Sequence, residues 1–247
     1  MALDKALLDY YQPGKSMPIF RFYRWLTPAI SLGRFQQAAD ILNIKNCHRD
    51  NIDIVRRITG GGAIYHLPTD LTYSLVCDAR FFGSASVKES YRLITQFLID
   101  AYRQLGFKAA YARDIATDEN KLGQRSDFCF SGFEQYDILI NGRKIGGNAQ
   151  KRKRQVIFQH GSLPLELPGN IGDYFLTSKI KKNNYLSLSH LNFSDIHKLK
   201  EVLIKAISDN LGIKLIPGRL KGIESMALKQ YQRKLKEQNN YIYAAIN

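Results

Sequence analysis

Residues Arg56 to Leu75 set the terms for the rest of the chain. They read Arg56-Arg57-Ile58-Thr59-Gly60-Gly61-Gly62-Ala63-Ile64-Tyr65-His66, a short break, then Asp70-Leu71-Thr72-Tyr73-Ser74-Leu75. Gly60, Gly61 and Gly62 lack a Cβ, so the backbone can take positive φ there and a ligand can lie directly against it. Freed amides in such a loop hold an oxyanion, and Arg56 or Arg57 supplies a fixed positive charge. A glycine-rich hairpin turn preceded by two solvated arginines would read the same way. No Gly-Lys-Ser/Thr follows the glycines, which excludes a Walker phosphate loop.

Around this loop the hydrophobic pattern alternates between the two periods. Residues 2–11 predict an amphipathic helix with Leu3, Ala6, Leu7 and Tyr10 on one face, ended by Pro13-Gly14. Strands are expected over 19–25, 29–32, 53–57, 63–65, 71–76, 108–113 and 156–167. Residues 35–42 predict a short helix, and 46–50 a loop. The long 3.6-residue period of 86–105, stopped by Gly106, predicts a helix. Asn141-Gly142 between Ile138-Leu139-Ile140 and Arg143-Lys144-Ile145 is a two-residue hairpin signal. Gly146 to Gln150 forms a second small-residue patch. Residues 118–127 predict a loop, and 173–176, 194–211 and 223–239 predict helices. With no repeat or linker, 247 residues are expected to form a single α+β catalytic domain, 1–247, with a mixed or antiparallel sheet flanked by helices.

Composition then removes several classes. No run approaches the roughly 18 apolar residues of a membrane span, and the charged N-terminal residues do not resemble a signal peptide, so a cytoplasmic protein is expected. Three scattered cysteines, Cys47, Cys77 and Cys129, give neither a disulfide framework nor a zinc pair, and no metal is expected. The net charge of +14 favours an acidic partner. Nucleic acid would satisfy it, as would an acidic protein. A nucleic-acid module, however, wants aromatics interleaved with cations on an exposed face, and the aromatics here follow buried strand and helix patterns.

Three side chains outside the loop are chemical candidates. Cys129, in Asp-Phe-Cys-Phe-Ser-Gly, is a competent nucleophile if nearby positive charge lowers its pKa; flanking phenylalanines equally suit a buried thiol. Lys144, leaving the hairpin beside glycines, can place its ammonium on a carbonyl oxygen or stay solvated. His160, before Gly161-Ser162, is a base or a satisfied core histidine. Lys151 to Arg154 is a basic cluster that fits either a solvated turn or an acidic partner beside the pocket.

The combination of Arg56 to Ser74, Gly142 to Gln150 and His160-Gly161-Ser162-Leu163 resembles the lipoate-protein ligase and octanoyltransferase family. Met1 to Leu7, Arg21 to Trp25 and Ser31 to Gln36 match it too, so the likeness runs over nearly the whole chain. The resemblance implies a biotin/lipoate protein ligase-like fold. It implies that Arg57, Thr59, Gly60, Gly61 and Gly62, with His66 nearby, line the acyl pocket. Lys144 would contact the acyl carbonyl, with Gly147, Asn148 and Ala149 beside it and His160-Gly161 completing the wall.

Three activities remain within the resemblance. Cys129-Phe130 matches the position of the thioester-forming cysteine in octanoyltransferases of the LipM type (EC 2.3.1 class). These use no cofactor, accept octanoyl groups from acyl carrier protein, and deliver them to lipoyl-domain proteins or glycine cleavage H protein in lipoate biosynthesis. Relay amidotransferases also use a cysteine. Lipoate ligases instead use ATP and magnesium, and Asp137 resembles their acidic metal position.

Overall fold

The computed structural model describes residues 1–115, 134–176, 185–220 and 222–244. Cys129 and the loop expected at 118–127 lie outside them.

Among the described residues the strands form three sheets. The first is antiparallel and four-stranded, built from Ile19–Tyr23 (β1), Leu71–Asp78 (β5), Gly147–Lys153 (β9) and Val156–Leu163 (β10) in the order β1-β5-β10-β9. The second contains Ala109–Tyr111 (β6), Ile138–Ile140 (β7), Arg143–Ile145 (β8) and Tyr185–Leu186 (β11), ordered β11-β8-β7-β6, with β11 parallel to β8. The third pairs Ala29–Leu32 (β2) in parallel with Asp53–Arg56 (β3) and antiparallel with Ile64–His66 (β4). The expected α+β class with mixed and antiparallel sheets flanked by helices holds.

Helices cover both faces of the first sheet. Ala2–Tyr10 (α1) buries Leu7 and Leu8 against Val76, Val156 and Phe158. Gly222–Ala244 (α7) packs along α1, with Tyr231 Oη donating to Asp9 at 2.7 Å. On the opposite face lies Val87–Gln104 (α4), opened by a full Ser86–Glu89 capping box. Its Phe97, Leu98, Ala101 and Tyr102 join the largest core with Tyr73, Leu71 and the helix Ile196–Leu211 (α6). Among the described residues no helix is long and apolar enough to cross a membrane.

Several local expectations need correction. Residues 33–37 form a turn, so the helix expected over 35–42 shrinks to Ala38–Ile41 (α2). The loop expected at 46–50 is largely the helix Ile44–Arg49 (α3), because Asn43 Oδ1 caps the amide of Asn46 and Cys47 is buried beneath it. The strand at 108–113 gives way after Tyr111 to one helical turn, Ala112–Ile115 (α5). The small-residue patch 146–150 begins the strand β9. The Asn141-Gly142 turn forms as expected, with φ of 51° and 72°.

One row of the first sheet explains a glycine. Tyr73, Gly161 and Asn148 are register partners across β5, β10 and β9. Tyr73 reaches over Gly161 to donate its hydroxyl to Asn148 Oδ1 at 2.8 Å. A Cβ on Gly161 would sit 2.0 Å from Asn148 Oδ1 and 2.5 Å from Tyr73 Cε1. Tyr73 is fully buried against Phe20 and Phe97 and has nowhere to withdraw. Gly161→Ala is therefore expected to cost about 1–3 kcal/mol, read as a lower thermal midpoint. An unchanged midpoint would show that this row can shift.

Candidate functional site

The side chains next to that row, on the opposite face of the sheet, line a small cavity. Strand alternation places Thr72, Ser162 and Gly147 in one row and Ser74, His160 and Ala149 in another, both facing α1 and the glycine loop. The cavity is closed by Arg57, His66, Ile64, Tyr23, Trp25 and Met1, and holds about 10 Å³, room for a single water.

Arg57 is buried and braces the glycine loop from within. Its Nη2 donates to Gly60 O at 3.1 Å and Gly62 O at 2.8 Å, while Nη1 donates to Ser31 O and, at 2.9 Å, to Ser31 Oγ. The positive charge expected beside the glycines is thus built into the loop as well as the cavity wall. Gly61 has φ of 95°, and its carbonyl lies so close to Gly33 that a Cβ there would sit 1.9 Å away. Arg56 points the other way, onto the turn at 33–37.

Both histidines are buried and hydrogen-bonded. His66 Nε2 lies 2.6 Å from Ser31 Oγ and Nδ1 3.3 Å from Ser162 Oγ, and Trp25 stacks on its ring at 4.1 Å. His160 Nε2 lies 2.7 Å from Thr59 Oγ1. Burial depresses both pKa values, aided by the Arg57 charge: His66 falls well below its usual range and His160 to about 3, although Asp4 opposes the shift of His160. Near neutral pH both rings are uncharged. They fit a hydrogen-bonded wall, and so weak a base as His160 is ill suited to take protons at that pH.

Between about pH 6.5 and 3 the unfolded chain binds a proton at residue 160 that the folded chain does not. The stability from a neutral His160 is complete above that window and falls as pH drops, at up to about 1.4 kcal/mol per unit. Asp70, pushed up to about 7 by burial, works in the opposite direction. His160→Gln keeps a hydrogen-bonding group for Thr59 and leaves Asp70 in place. Urea midpoints of this variant are expected to fall less steeply than wild type between about pH 6 and 4. Parallel curves would mean that His160 is protonated in the folded chain.

Lys144 does not line this cavity. It is buried on β8 with Nζ 2.6 Å from Asp137 Oδ2, which also accepts the amide of Glu134 at 2.7 Å. The lysine is neither solvated nor isolated. Two residues on, Gly146 (φ 69°) turns the chain from the second sheet into β9, the cavity's edge strand. Of the expected site residues, Arg57, His66, Gly147, Ala149, His160 and Gly161 come together at the cavity. Thr59 reaches it through His160, Gly60 and Gly62 through Arg57, and Gly61 lies between those two on the loop. Asn148 faces the α4 side, bonded by Tyr73. Among the described residues, no group of three or more His, Cys, Asp or Glu could hold a metal. Sequence reasoning did not single out Ser31, Ser162 or Thr72. All three lie in stretches that carry the family resemblance, and Ser31 is also a serine inside the apolar strand Ala29-Ile30-Ser31-Leu32.

Known proteins are similar to this chain in sequence and in fold. Residues 1–210 match the lipoyl protein ligase A/B catalytic domain. The chain is 34% identical to octanoyltransferase LipM of Bacillus anthracis, covering 95% of this chain and 91% of that one. It is 33% identical to octanoyltransferase LipM of Halalkalibacterium halodurans, covering 98% and 92%. A bi-partite lipoate protein ligase from Thermoplasma acidophilum superimposes with a TM-score of 0.78 at 20% identity, covering 98% and 90%. A lipoate-protein ligase A bound with ATP gives 0.78 at 22%, covering 94% and 88%. These solved structures share the fold. The family match spans most of the chain, and the sequence likeness to the two transferases is nearly end to end: this protein belongs to the lipoyl protein ligase A/B catalytic domain family.

Proposed function

We propose that this protein is an octanoyltransferase of lipoate biosynthesis, acting as one catalytic domain. It carries an octanoyl group from acyl carrier protein, through a thioester on Cys129, to a lysine of a lipoyl domain or of glycine cleavage H protein. The observation that supports this most is the near full-length likeness to LipM octanoyltransferases, joined to the presence of Cys129-Phe130.

The chemistry proceeds in two exchanges. The Cys129 thiolate attacks the carbonyl carbon of the incoming thioester, and the carrier's thiolate leaves and takes up a proton. The neutral amine of the acceptor lysine then attacks the new thioester, releasing the Cys129 thiolate and losing a proton to give an amide. Thioester exchange is close to balanced and amide formation is downhill, so neither ATP nor a metal is needed. Lys144 is the cation for the oxyanion formed in each step, and Asp137 holds it in place. That contact also bears on the ligase alternative, since the acidic position resembling the ligases' metal site is engaged by Lys144 and the Glu134 amide. Arg57, His66, His160 and Gly161 would form the wall that receives the acyl group, for which the cavity of about 10 Å³ would have to widen.

The test is the intact mass of the protein after mixing with octanoyl-acyl carrier protein in the absence of ATP. A hydroxylamine-labile octanoyl adduct is expected. No adduct, together with lipoylation that requires lipoate, ATP and magnesium, would make the protein a ligase.

A further inference from the structure

The turn at residues 33–37 is held from several sides. Arg56 Nη1 donates to Gly33 O at 3.2 Å, to Arg34 O at 3.4 Å and to Gln36 O. The Gly33 amide donates to Gln36 Oε1 at 2.9 Å, the Gln36 amide to Gly33 O at 3.1 Å, and the Arg34 amide to Thr59 O at 2.8 Å. All this order presents an aromatic ring to solvent. Phe35 is 80% exposed, and the Arg34 guanidinium lies 5.3 Å from its centroid.

Arg34, the cation beside that ring, belongs to a wider group of positive charges. Ala149 lines the cavity, and by alternation Lys151 and Lys153 follow on the same face of β9. Burial, then the charges of Arg34 and Lys5, lowers the pKa of Lys151, so these cations lie within reach of one another. The nearby acid, Asp9, is already shared by Lys5, Lys153 and Tyr231. Four cations thus stand against one carboxylate.

We propose that Phe35, Arg34 and Lys151 form the docking surface for an acidic face of the protein domain that presents the acceptor lysine. The inference rests on the acyl-transfer reading above and adds where the acceptor sits. A rigid aromatic anchor within a charged rim is the anatomy of a binding hot spot, and its order is established before the partner arrives. Like charges gathered at one place favour an acidic partner and speed its approach. The patch also borders the cavity. Thr59, whose carbonyl holds Arg34, places its hydroxyl on His160 of the cavity wall.

Phe35→Ser and the pair Arg34→Glu/Lys151→Glu test this. The probes are an unmodified lipoyl domain as acceptor and octanoyl-N-acetylcysteamine as a small donor that needs no docking. Acyl-enzyme formation from the small donor is expected to match wild type. In transfer to the lipoyl domain, KM is expected to rise about tenfold or more with kcat little changed, and the charge variant is expected to lose its salt dependence. Wild-type KM for the lipoyl domain in both variants overturns the proposal. Direct titration of the lipoyl domain onto each protein gives a reading independent of catalysis. Weaker binding to the variants supports docking even if wild type forms no acyl-enzyme and the transfer reading fails; equal binding refutes it. An oligonucleotide that binds wild type but not the variants, while lipoyl-domain binding is unchanged, assigns the patch to nucleic acid instead.

Discussion

Cys129→Ala is expected to abolish octanoyl transfer, by about 10³-fold or more, while leaving the thermal midpoint close to wild type. The size of the loss follows from the role. Without the thiol, the carbonyl carbon has no covalent acceptor, and the acceptor amine would have to meet the carrier thioester directly. The adduct seen in wild type should vanish with the activity. Cys47 and Cys77 provide internal controls, since both are buried and burial pushes their thiols up to about 12, far from thiolate at neutral pH. Retained transfer in Cys129→Ala would end the covalent mechanism, whatever the family.

The second large effect is expected at Lys144. Lys144→Met removes one partner of a buried pair and strands Asp137, which is 5% exposed. Breaking such a pair costs about 3–5 kcal/mol, a fall in thermal midpoint on the order of 10 °C for a chain of this size. Transfer should also fall by about 10²–10³, the usual cost of losing an oxyanion-stabilising donor. The two losses can be separated. Lys144→Met/Asp137→Leu replaces the pair with apolar side chains and is expected to regain most of the stability with none of the activity. If the double variant regains both, the lysine serves the fold alone.

How much of this was legible depends on how local the cause is. The Asn141-Gly142 hairpin and α4 are written in a few adjacent residues, a turn dipeptide in one case and a capping box with a long apolar period in the other. Helix α3 is not, because its only advertisements are a capping Asn43 and one buried Cys47. Strand β9 is hidden in the sequence for a different reason: both its faces are polar. Asn148, Gln150 and Arg152 bond Tyr73, Gln159 and Ser90 on one side, and the other side carries Ala149 and lysines, so no apolar alternation exists to read. At the site, the family resemblance picked out Arg57, His66 and His160. It could not show that Arg57 faces inward to its own loop, nor that Lys144 meets Asp137 across a hairpin, since both depend on distances set by tertiary packing.

Among the described residues β9 ends its sheet, and that place has a consequence apart from catalysis. A terminal strand offers a row of backbone donors and acceptors to any extended peptide that arrives, including another molecule of the same chain. Lys151, Arg152 and Lys153 sit on that margin, and their mutual repulsion between copies discourages strand-to-strand association. The residues proposed to attract an acidic partner would therefore also oppose pairing of this strand with another copy, so that replacing them with neutral side chains is expected to weaken both effects together.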